Sequence, residues 1–341
     1  MKIIIPMAGR GSRLRPHTLT TPKPLIPIAG KPIVHRLVED IAKVSSEKID
    51  EIVFVIGDFG AEVEADLVAI AEKLGAKGTI AHQLEPLGTA HSIWMAKQAL
   101  DGPVVVAYAD TLFRADFKLD MESDGVVWVK QVENPSAFGV VKLDENEVIT
   151  DFVEKPQEFV SDLAIIGIYF FRDGQKLYKE IEHLIENNIT TGGEYQLTDA
   201  LETMRSKGDQ FTLGKVDEWM DCGNKAVTVD TNSRVLNLDK ADYSSINSNA
   251  VIENSLIIPP CYIGDGVVIR NSKIGPNVSL GNGTKVECSN IDNSLIQENS
   301  IIANANLTDS MIGNNAKYYG VSRSISLGDF SELDFKSHDE A

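Results

Sequence analysis

Between Ile246 and Ile312 an apolar residue returns every five or six positions: Ile246, Ile252, Ile258, Ile263, Ile269, Ile274, Leu280, Val286, Ile291, Ile296, Ile302, Leu307 and Ile312. Small or polar residues fill the gaps, as in Ile263-Gly-Asp-Gly-Val and Leu280-Gly-Asn-Gly-Thr. Neither a helix nor a simple alternating strand produces such a period. A repeat near six points each apolar residue into a three-sided prism, three repeats to a coil, which predicts a parallel β-helix over 245–320. Such coils stack cooperatively and leave flat sides suited to self-association, so a homo-oligomer is expected. The segment 328–341 is polar and acidic and is expected to be loose.

The chain ahead of the repeats keeps a different rhythm. Lys2–Ile5, Glu51–Ile56, Thr79–Gln83 and Pro103–Ala107 read as strands. Helical spacing of apolar residues falls at 32–45, at 63–74 and from Gly88-Thr89 to about Leu100. From residue 126 the texture changes: strands at Val126–Val129, Gly139–Leu143, Ile149–Val153 and Leu163–Phe171 precede helices at 174–187, 195–206 and 225–236. Strand and helix in alternation imply right-handed crossovers. The expected fold is α/β, a Rossmann-like, mostly parallel mixed sheet with helices on both faces, over 1–240. Ligands of such sheets sit beyond the carboxyl ends of the strands, where Gly9–Arg13, Gln83 and Asp110 all fall.

Charge singles out one of those ends. The chain carries a formal net charge of −18, yet no Asp or Glu precedes Glu39. Lys2, Arg10, Arg13, Arg15, Lys23, Lys31 and Arg36 occupy that stretch, threaded by Pro16, Pro22, Pro24, Pro27 and Pro32. Gly9-x-Gly11 lets backbone N–H groups approach an anion, and proline restrains the cations that follow. A polyphosphate is the best partner for such an asymmetry. The spacing is neither a Walker loop nor the dinucleotide fingerprint, since no Gly-Lys-Ser/Thr follows and the third glycine is missing. The acidic balance argues against nucleic acid. Cys222, Cys261 and Cys288 form no CxxC pair and suggest reduced thiols. No apolar stretch approaches membrane-spanning length and no signal peptide opens the chain, so a cytoplasmic protein without membrane partners is expected.

Further groups carry chemistry, each with a plain structural alternative. Gln83 presents a donor and an acceptor that match a pyrimidine edge, although Pro86-Leu87-Gly88-Thr89 also reads as a turn and helix cap. Asp110 and Asp221, each in an apolar or aromatic context, suit Mg²⁺, which takes its remaining ligands from water and phosphate; singly, each reads as a cap or turn residue. Glu154-Lys155-Pro156 follows a strand, where a surface ion pair alone means little. Gly192-Gly193-Glu194-Tyr195-Gln196-Leu197-Thr198-Asp199 reads locally as a helix start.

In order, GxGxRLxPxTxxxPKP, QxxPxGTA, the strand-end Asp, EKP, GEYQLTD and WxDCG resemble the sugar-1-phosphate nucleotidyltransferases, or nucleotide-sugar pyrophosphorylases, over about residues 1–236. The repeats resemble the left-handed hexapeptide β-helix of the long members. The resemblance implies a nucleotide site of Ala8, Gly9, Gly11, Ser12, Arg13, Lys23, Gln83, Pro86, Gly88 and Thr89. In it Gly9, Gly11 and Arg13 hold the phosphates beside Lys23, while Gln83 and Gly88 face the base. It implies a sugar-phosphate site of Gly139, Glu154, Lys155, Gly167 and Tyr169. Asp110 and Asp221 would be the Mg²⁺ ligands, and Arg13, Lys23 and Asp110 the catalytic set. Its substrates would be a nucleoside triphosphate and a sugar 1-phosphate, first dTTP with glucose 1-phosphate, alternatively UTP or GTP.

Two departures stand out. The opening loop runs straight from Gly9 to Arg10-Gly11, the shorter form nearer to uridylyltransferases, and Ala109 stands before Asp110 where the family usually has Gly. Two rival readings are a non-catalytic regulatory subunit that binds nucleotide sugars and a bifunctional enzyme whose β-helix transfers an acyl group. The second lacks a His base, since no His lies between His183 and His338. His17, His35, His82 and His91 lack metal-ligand spacing and are expected to pack.

Overall fold

The computed structural model describes residues 1–9, 11–45, 47–115, 119–240, 249–320 and 324–334. The chain divides into two compact units: Met1–Gly9 with His35–Trp219, and Arg10–Val34 with Met220–Ala341.

In the first unit the strands Lys77–His82, Glu51–Ile56, Lys2–Pro6 and Val104–Ala107 lie side by side, all parallel. Ile3, Ile4 and Ile5 are wholly buried, as are Ile52 to Ile56, because both faces of a parallel sheet are covered. Ile4, Val53, Val55, Val104 and Val106 join one apolar cluster with Ile93, Leu177, Ile181, Leu197 and Leu201 from the helices Thr89–Trp94, Gly174–Glu186 and Leu197–Ser206. The intervening residues, Ile3, Ile5, Phe54 and Val105, point to the opposite face and are equally buried. Beyond Val104–Ala107 the sheet turns antiparallel at Leu163–Phe171, which also pairs with Gly125–Gln131 and Val140–Leu143. The carboxyl ends of the four parallel strands thus deliver Met7–Gly9, Gly57, Gln83 and Tyr108–Asp110 to one edge of the sheet.

Three differences from expectation concern this part of the chain. The helix expected to reach Leu100 stops at Trp94 and resumes as a 3₁₀ turn at Lys97–Ala99, the backbone leaving helical angles at Ala96 (φ −99°, ψ 22°). Ala96, Ala99 and Leu100 keep helical spacing and stay buried, so the pattern gives no sign of the break. Phe211–Lys215 is an additional strand, parallel to Gly125–Gln131. Thr111–Arg114 and Glu218–Asp221 are also strands, too short for alternation to register.

The second unit contains three parallel ladders that form the left-handed β-helix. Ile252, Ile269, Val286, Ile302, Tyr318 and Leu333 are matched in one ladder, with steps of 17, 17, 16, 16 and 15 residues. A coil of 15 to 17 residues shared among three sides explains why the apolar spacing wavers between five and six. Ile257, Ile274, Ile291 and Leu307 make the second inner row, and Ile263, Leu280, Ile296, Ile312 and Leu327 the third. One corner places Asn254, Asn271, Cys288 and Asn304 at φ between 46° and 53°, a conformation Asn adopts more readily than other side chains. The segment expected to loosen after Gly328 instead adds the strand Glu332–Asp334, since Leu333 continues the inner row. Ile246 of the repeat, Arg10 of the opening loop and 335–341 of the tail lie outside the described residues.

Candidate active site

In the first unit the strand ends converge on Tyr108. Its N–H donates to Gly167 O at 2.9 Å, and its ring fills the space where a Gly167 Cβ would stand 2.7 Å away. Gly167 has φ 83°, so any other residue there meets both strain and collision. Burial pushes the phenols of Tyr108 and Tyr169 well above their usual range. Tyr108 and Tyr169 meet edge to face, 5.9 Å between centroids. They remain neutral hydrogen-bonding groups beside Glu154, whose charge raises both further.

Glu154 is held from two sides. Thr198 Oγ1 donates to its Oε2 at 3.0 Å, and Lys155 Nζ lies 3.4 Å from its Oε1. A Cβ on Gly139 would come 3.0 Å from that Oε2 and 3.3 Å from Ile165 and Thr198, so glycine keeps a narrow passage clear. Lys155 is exposed and takes φ 40°, an uncommon conformation for a residue with a side chain. Its N–H donates to Phe138 O at 3.2 Å, which fixes that turn. Asp199, one residue past Thr198, has its carboxyl raised by burial and by the charge of Glu154. Its Oδ2 is buried without a hydrogen-bond partner.

Gln83 leaves its strand with its side chain turned inward. Nε2 donates to Gly88 O at 3.1 Å and lies 3.0 Å from His91 Nδ1. The Gly88 carbonyl accepts only, which settles which end of the amide is nitrogen. Burial lowers the His91 pKa, so the neutral ring can accept at Nδ1. Both amide donors then point at acceptors within the protein, leaving Oε1 as the other end of the amide. Gly88 has φ 114° and lies where a Cβ would fall 2.4 Å from Tyr195 O. Tyr195 N–H donates to Leu87 O and Ala90 N–H to Tyr195 O, both at 2.9 Å. Thr89 Oγ1 donates to Gln196 Oε1 at 3.1 Å and accepts from Leu197 N–H at 2.9 Å. The QxxPxGTA and GEYQLTD segments thus form one fixture, with Pro86 on its exposed rim. Ala8 and Gly9 follow the strand Lys2–Pro6, two strands along from Lys77–His82, and a Cβ on Gly9 would meet nothing within 4 Å. That glycine is not demanded by packing.

The second unit carries the rest. Gly11 is left-handed (φ 61°, ψ 39°) and opens the 3₁₀ turn Ser12–Leu14. Its carbonyl accepts from Leu14 N–H at 3.0 Å and Thr18 Oγ1 at 2.8 Å. Arg13 and Ser12 are exposed, whereas Lys23 is only 7% exposed, at the start of the second 3₁₀ turn Lys23–Leu25. A Cβ on Gly11 would stand 3.0 Å from Lys23 Cβ, which puts the two residues in direct register. Asp221 is half-buried, and its Oδ2 occupies the space beside Gly223, where a Cβ would be 2.8 Å away. Thr231 Oγ1 donates to its backbone carbonyl at 2.7 Å.

Within the first unit the structure brings together Gly139, Glu154, Gly167, Tyr169 and Thr89, with Gln83 and Gly88 in one fixture. Within the second it brings together Gly11 and Lys23. Asp110 belongs to the first unit and Asp221 to the second. Tyr108 and Thr198 were not singled out from the sequence, although a tyrosine interrupting the apolar run Val104–Ala109 was a readable signal. Among the described residues no group of three His, Cys, Asp or Glu is arranged to hold a metal, and no helix is long and apolar enough to cross a membrane.

Residues 2–237 match the profile of the nucleotidyl transferase family. The chain is 30% identical to the bifunctional protein GlmU of Methanococcus maripaludis, over 76% of this chain and 62% of that protein. It is also 30% identical to the mannose-1-phosphate guanylyltransferase catalytic subunit beta of Drosophila pseudoobscura pseudoobscura, over 78% of this chain and 71% of that one. Against GlmU, the chain thus spans about three fifths of the relative's length. A crystal structure of UDP-glucose pyrophosphorylase with UDP-glucose superposes with a TM-score of 0.57 at 24% identity, covering 70% of this chain and 98% of that one.

Proposed function

The chain belongs to the nucleotidyl transferase family, and on that premise we propose that it transfers a nucleotidyl group from a nucleoside triphosphate to a sugar 1-phosphate, releasing pyrophosphate. The observation that carries the reading is Glu154, steered by Thr198, flanked by the bare backbone of Gly139 and paired with Lys155. A carboxylate accepts from hydroxyls and an adjacent ammonium neutralises phosphate, which is the two-sided chemistry of a sugar 1-phosphate.

An oxygen of the sugar phosphate attacks the α-phosphorus in line. The bond from that phosphorus to the oxygen bridging the β-phosphate breaks, and the electron pair leaves with pyrophosphate. The nucleophile is already anionic, so no general base is required, and catalysis is positioning plus charge stabilisation. Arg13 and Lys23 supply the positive charge that meets the triphosphate, and Gly11, without a side chain, lets it approach the backbone. By the resemblance Asp110 and Asp221 would hold Mg²⁺; within the second unit the Asp221 carboxylate lies in a notch that a Cβ on Gly223 would fill. When bound, the ion would draw negative charge off the phosphates.

The committed amide of Gln83 supports a class of base. A carbonyl oxygen facing a base edge accepts from a ring N–H, which thymine, uracil and guanine carry and which cytosine and adenine replace with an acceptor. That admits dTTP, UTP and GTP alike; the order in which we propose them, dTTP with glucose 1-phosphate first, comes from the motif resemblance. The Drosophila relative's name adds mannose 1-phosphate with a guanylyl donor to the panel. Pyrophosphate release over a matrix of five triphosphates and several sugar 1-phosphates with Mg²⁺ tests the reading. Lys23→Ala or Asp110→Asn should lower kcat by at least ~10²-fold, the scale of one electrostatic contact. No release from any pair would end it, and ATP or CTP as best donor would end the assignment of Gln83.

A further inference from the structure

The segment carrying Gly11, Arg13 and Lys23 is fastened at two places to the β-helix of its own unit. At its carboxyl side, Ala29 N–H donates at 2.9 Å to Oδ1 of the wholly buried Asn232, and the Ser279 hydroxyl of a β-helix strand donates at 2.7 Å to the same oxygen. The next residue, Gly30, lies so close to Tyr262 that a Cβ would fall 2.1 Å from the ring. Nearer its start, His17 Nε2 stands 3.0 Å from Ser326 Oγ, and Thr20 Oγ1 donates to Asp329. Both pairs are separated by 309 residues, so loop and last coil run side by side in register. Just ahead of His17, Pro16 approaches Gly328 so closely that a Cβ there would lie 2.9 Å from the proline ring.

Resting on the function proposed above, we propose that the β-helix is a positioning surface for the triphosphate: Ser326 and Asp329 of its last coil, acting through His17 and Thr20, hold the loop so that Arg13 and Lys23 are already placed. The contacts fall where they are needed. Proline restrains the loop at 16, 22, 24, 27 and 32, while 17–21 is free of it. Each residue that must be ordered on binding costs backbone entropy, so docking this stretch beforehand improves affinity without any new contact to the ligand. Neither Ser326 nor Asp329 needs to touch the nucleotide.

The test uses the full chain carrying Thr20→Val with Ser326→Ala, which removes both polar links while nearly preserving volume. Equilibrium dialysis with Mg²⁺ and dTTP, UTP or GTP reads triphosphate affinity, and steady-state kinetics reads KM for the sugar phosphate. The expected result is a Kd for triphosphate raised about tenfold, with the sugar-phosphate KM within about twofold and the chain still fully folded at the assay temperature; two hydrogen bonds of ordinary strength correspond to that change. Gly328→Ala, which must push Pro16 aside, should give at least the same loss. Asn290→Ala, which cuts a surface Asn290–Asn306 link elsewhere in the β-helix, should leave affinity unchanged. Unaltered triphosphate affinity in the double variant, or equal weakening of both substrates, overturns the proposal while leaving the transferase reading intact. If the wild-type chain binds none of the three triphosphates, the transferase reading falls and this one with it.

Discussion

The two units bury apolar surface by opposite plans. In the first, large side chains from several elements meet in three dimensions: Phe211 packs edge-on against Phe152 at 5.4 Å and Phe171 at 6.3 Å, among residues of the helices Gly174–Glu186 and Leu197–Ser206. In the second, each side of a coil contributes an inner-row residue, aliphatic in all but Tyr318, that meets its counterparts in the coils above and below. The lesson concerns how damage travels. A core of the first kind is shared by every element around it, whereas a stack communicates only with its neighbours.

The comparison breaks if core truncations behave alike in both places. Phe171→Ala should cost about 4 kcal/mol, the range for removing a buried aromatic. It should lower hydrogen-exchange protection throughout the first unit's sheet. Ile291→Ala should cost about 3 kcal/mol, because Ile274 and Leu307 are fixed by their own ladders and cannot collapse into the gap. Its loss of protection should be greatest in the coils of Ile274 and Leu307 and fade beyond them. Equal spread of the two effects would remove the distinction.

A second difference is electrostatic. The first unit's buried phenols stay neutral at any ordinary pH, but the second buries His17, whose pKa is lowered to about 4, first by burial, with Asp329 opposing and Lys225 reinforcing the shift. The ring is 1% exposed and its Nδ1 lacks a partner. The unfolded chain therefore takes up a proton below about 6.5 that the folded one refuses until about 4. Stability is full above the upper value and falls with pH through that window, by about 3 kcal/mol at about 1.4 kcal/mol per pH unit. Carboxylates titrate in the same window, so the measurement is the difference between wild type and His17→Gln in denaturant unfolding. Parallel pH profiles for the two proteins would show that the burial of His17 carries no such cost.

How much of this could be read beforehand follows the same division. The inner rows of the β-helix announce themselves by period, and the wholly buried runs Ile3–Ile5 and Ile52–Ile56 announce a covered parallel sheet. Local pattern has no reach beyond a few residues. It could not show that the loop of Arg13 and Lys23 joins the unit that begins again at Met220, because the contacts that bind it span 309 residues. Nor could it show that the Gln83 amide turns toward Gly88 and His91, since a glutamine after a strand is equally free to point outward. Glu154 was legible as a motif residue, but the hydroxyl that aims it, Thr198, lies 44 residues away.

The smallest effect sharpens the contrast most, because it belongs to the β-helix alone. Serines at one corner relay backbone N–H groups from coil to coil: Ser255 Oγ accepts from Ser272 N–H, Ser272 Oγ from Ser289 N–H, and Ser289 Oγ from Ala305 N–H, each at 3.0 Å. Ser289 also donates to Glu287 O at 2.7 Å and is 2% exposed. The hydroxyl supplies the acceptor for these N–H groups, while the carbonyls of Ser272, Ser289 and Ala305 accept coil-to-coil backbone bonds from Leu256, Lys273 and Asn290. Ser289→Ala leaves Ala305 N–H buried and unmatched and should cost about 1–2 kcal/mol. Among the described residues the last N–H of this row belongs to Ala305, which donates to Ser289 and carries no hydroxyl of its own, so Ala305→Ser tests the other direction. If the hydroxyl matters only as an acceptor for the next coil, the added serine should change stability by less than about 0.5 kcal/mol, the scale of a neutral substitution. A loss at Ser289 no larger than that would mean the relay is geometry without consequence, and the stack would then rest on its aliphatic rows alone.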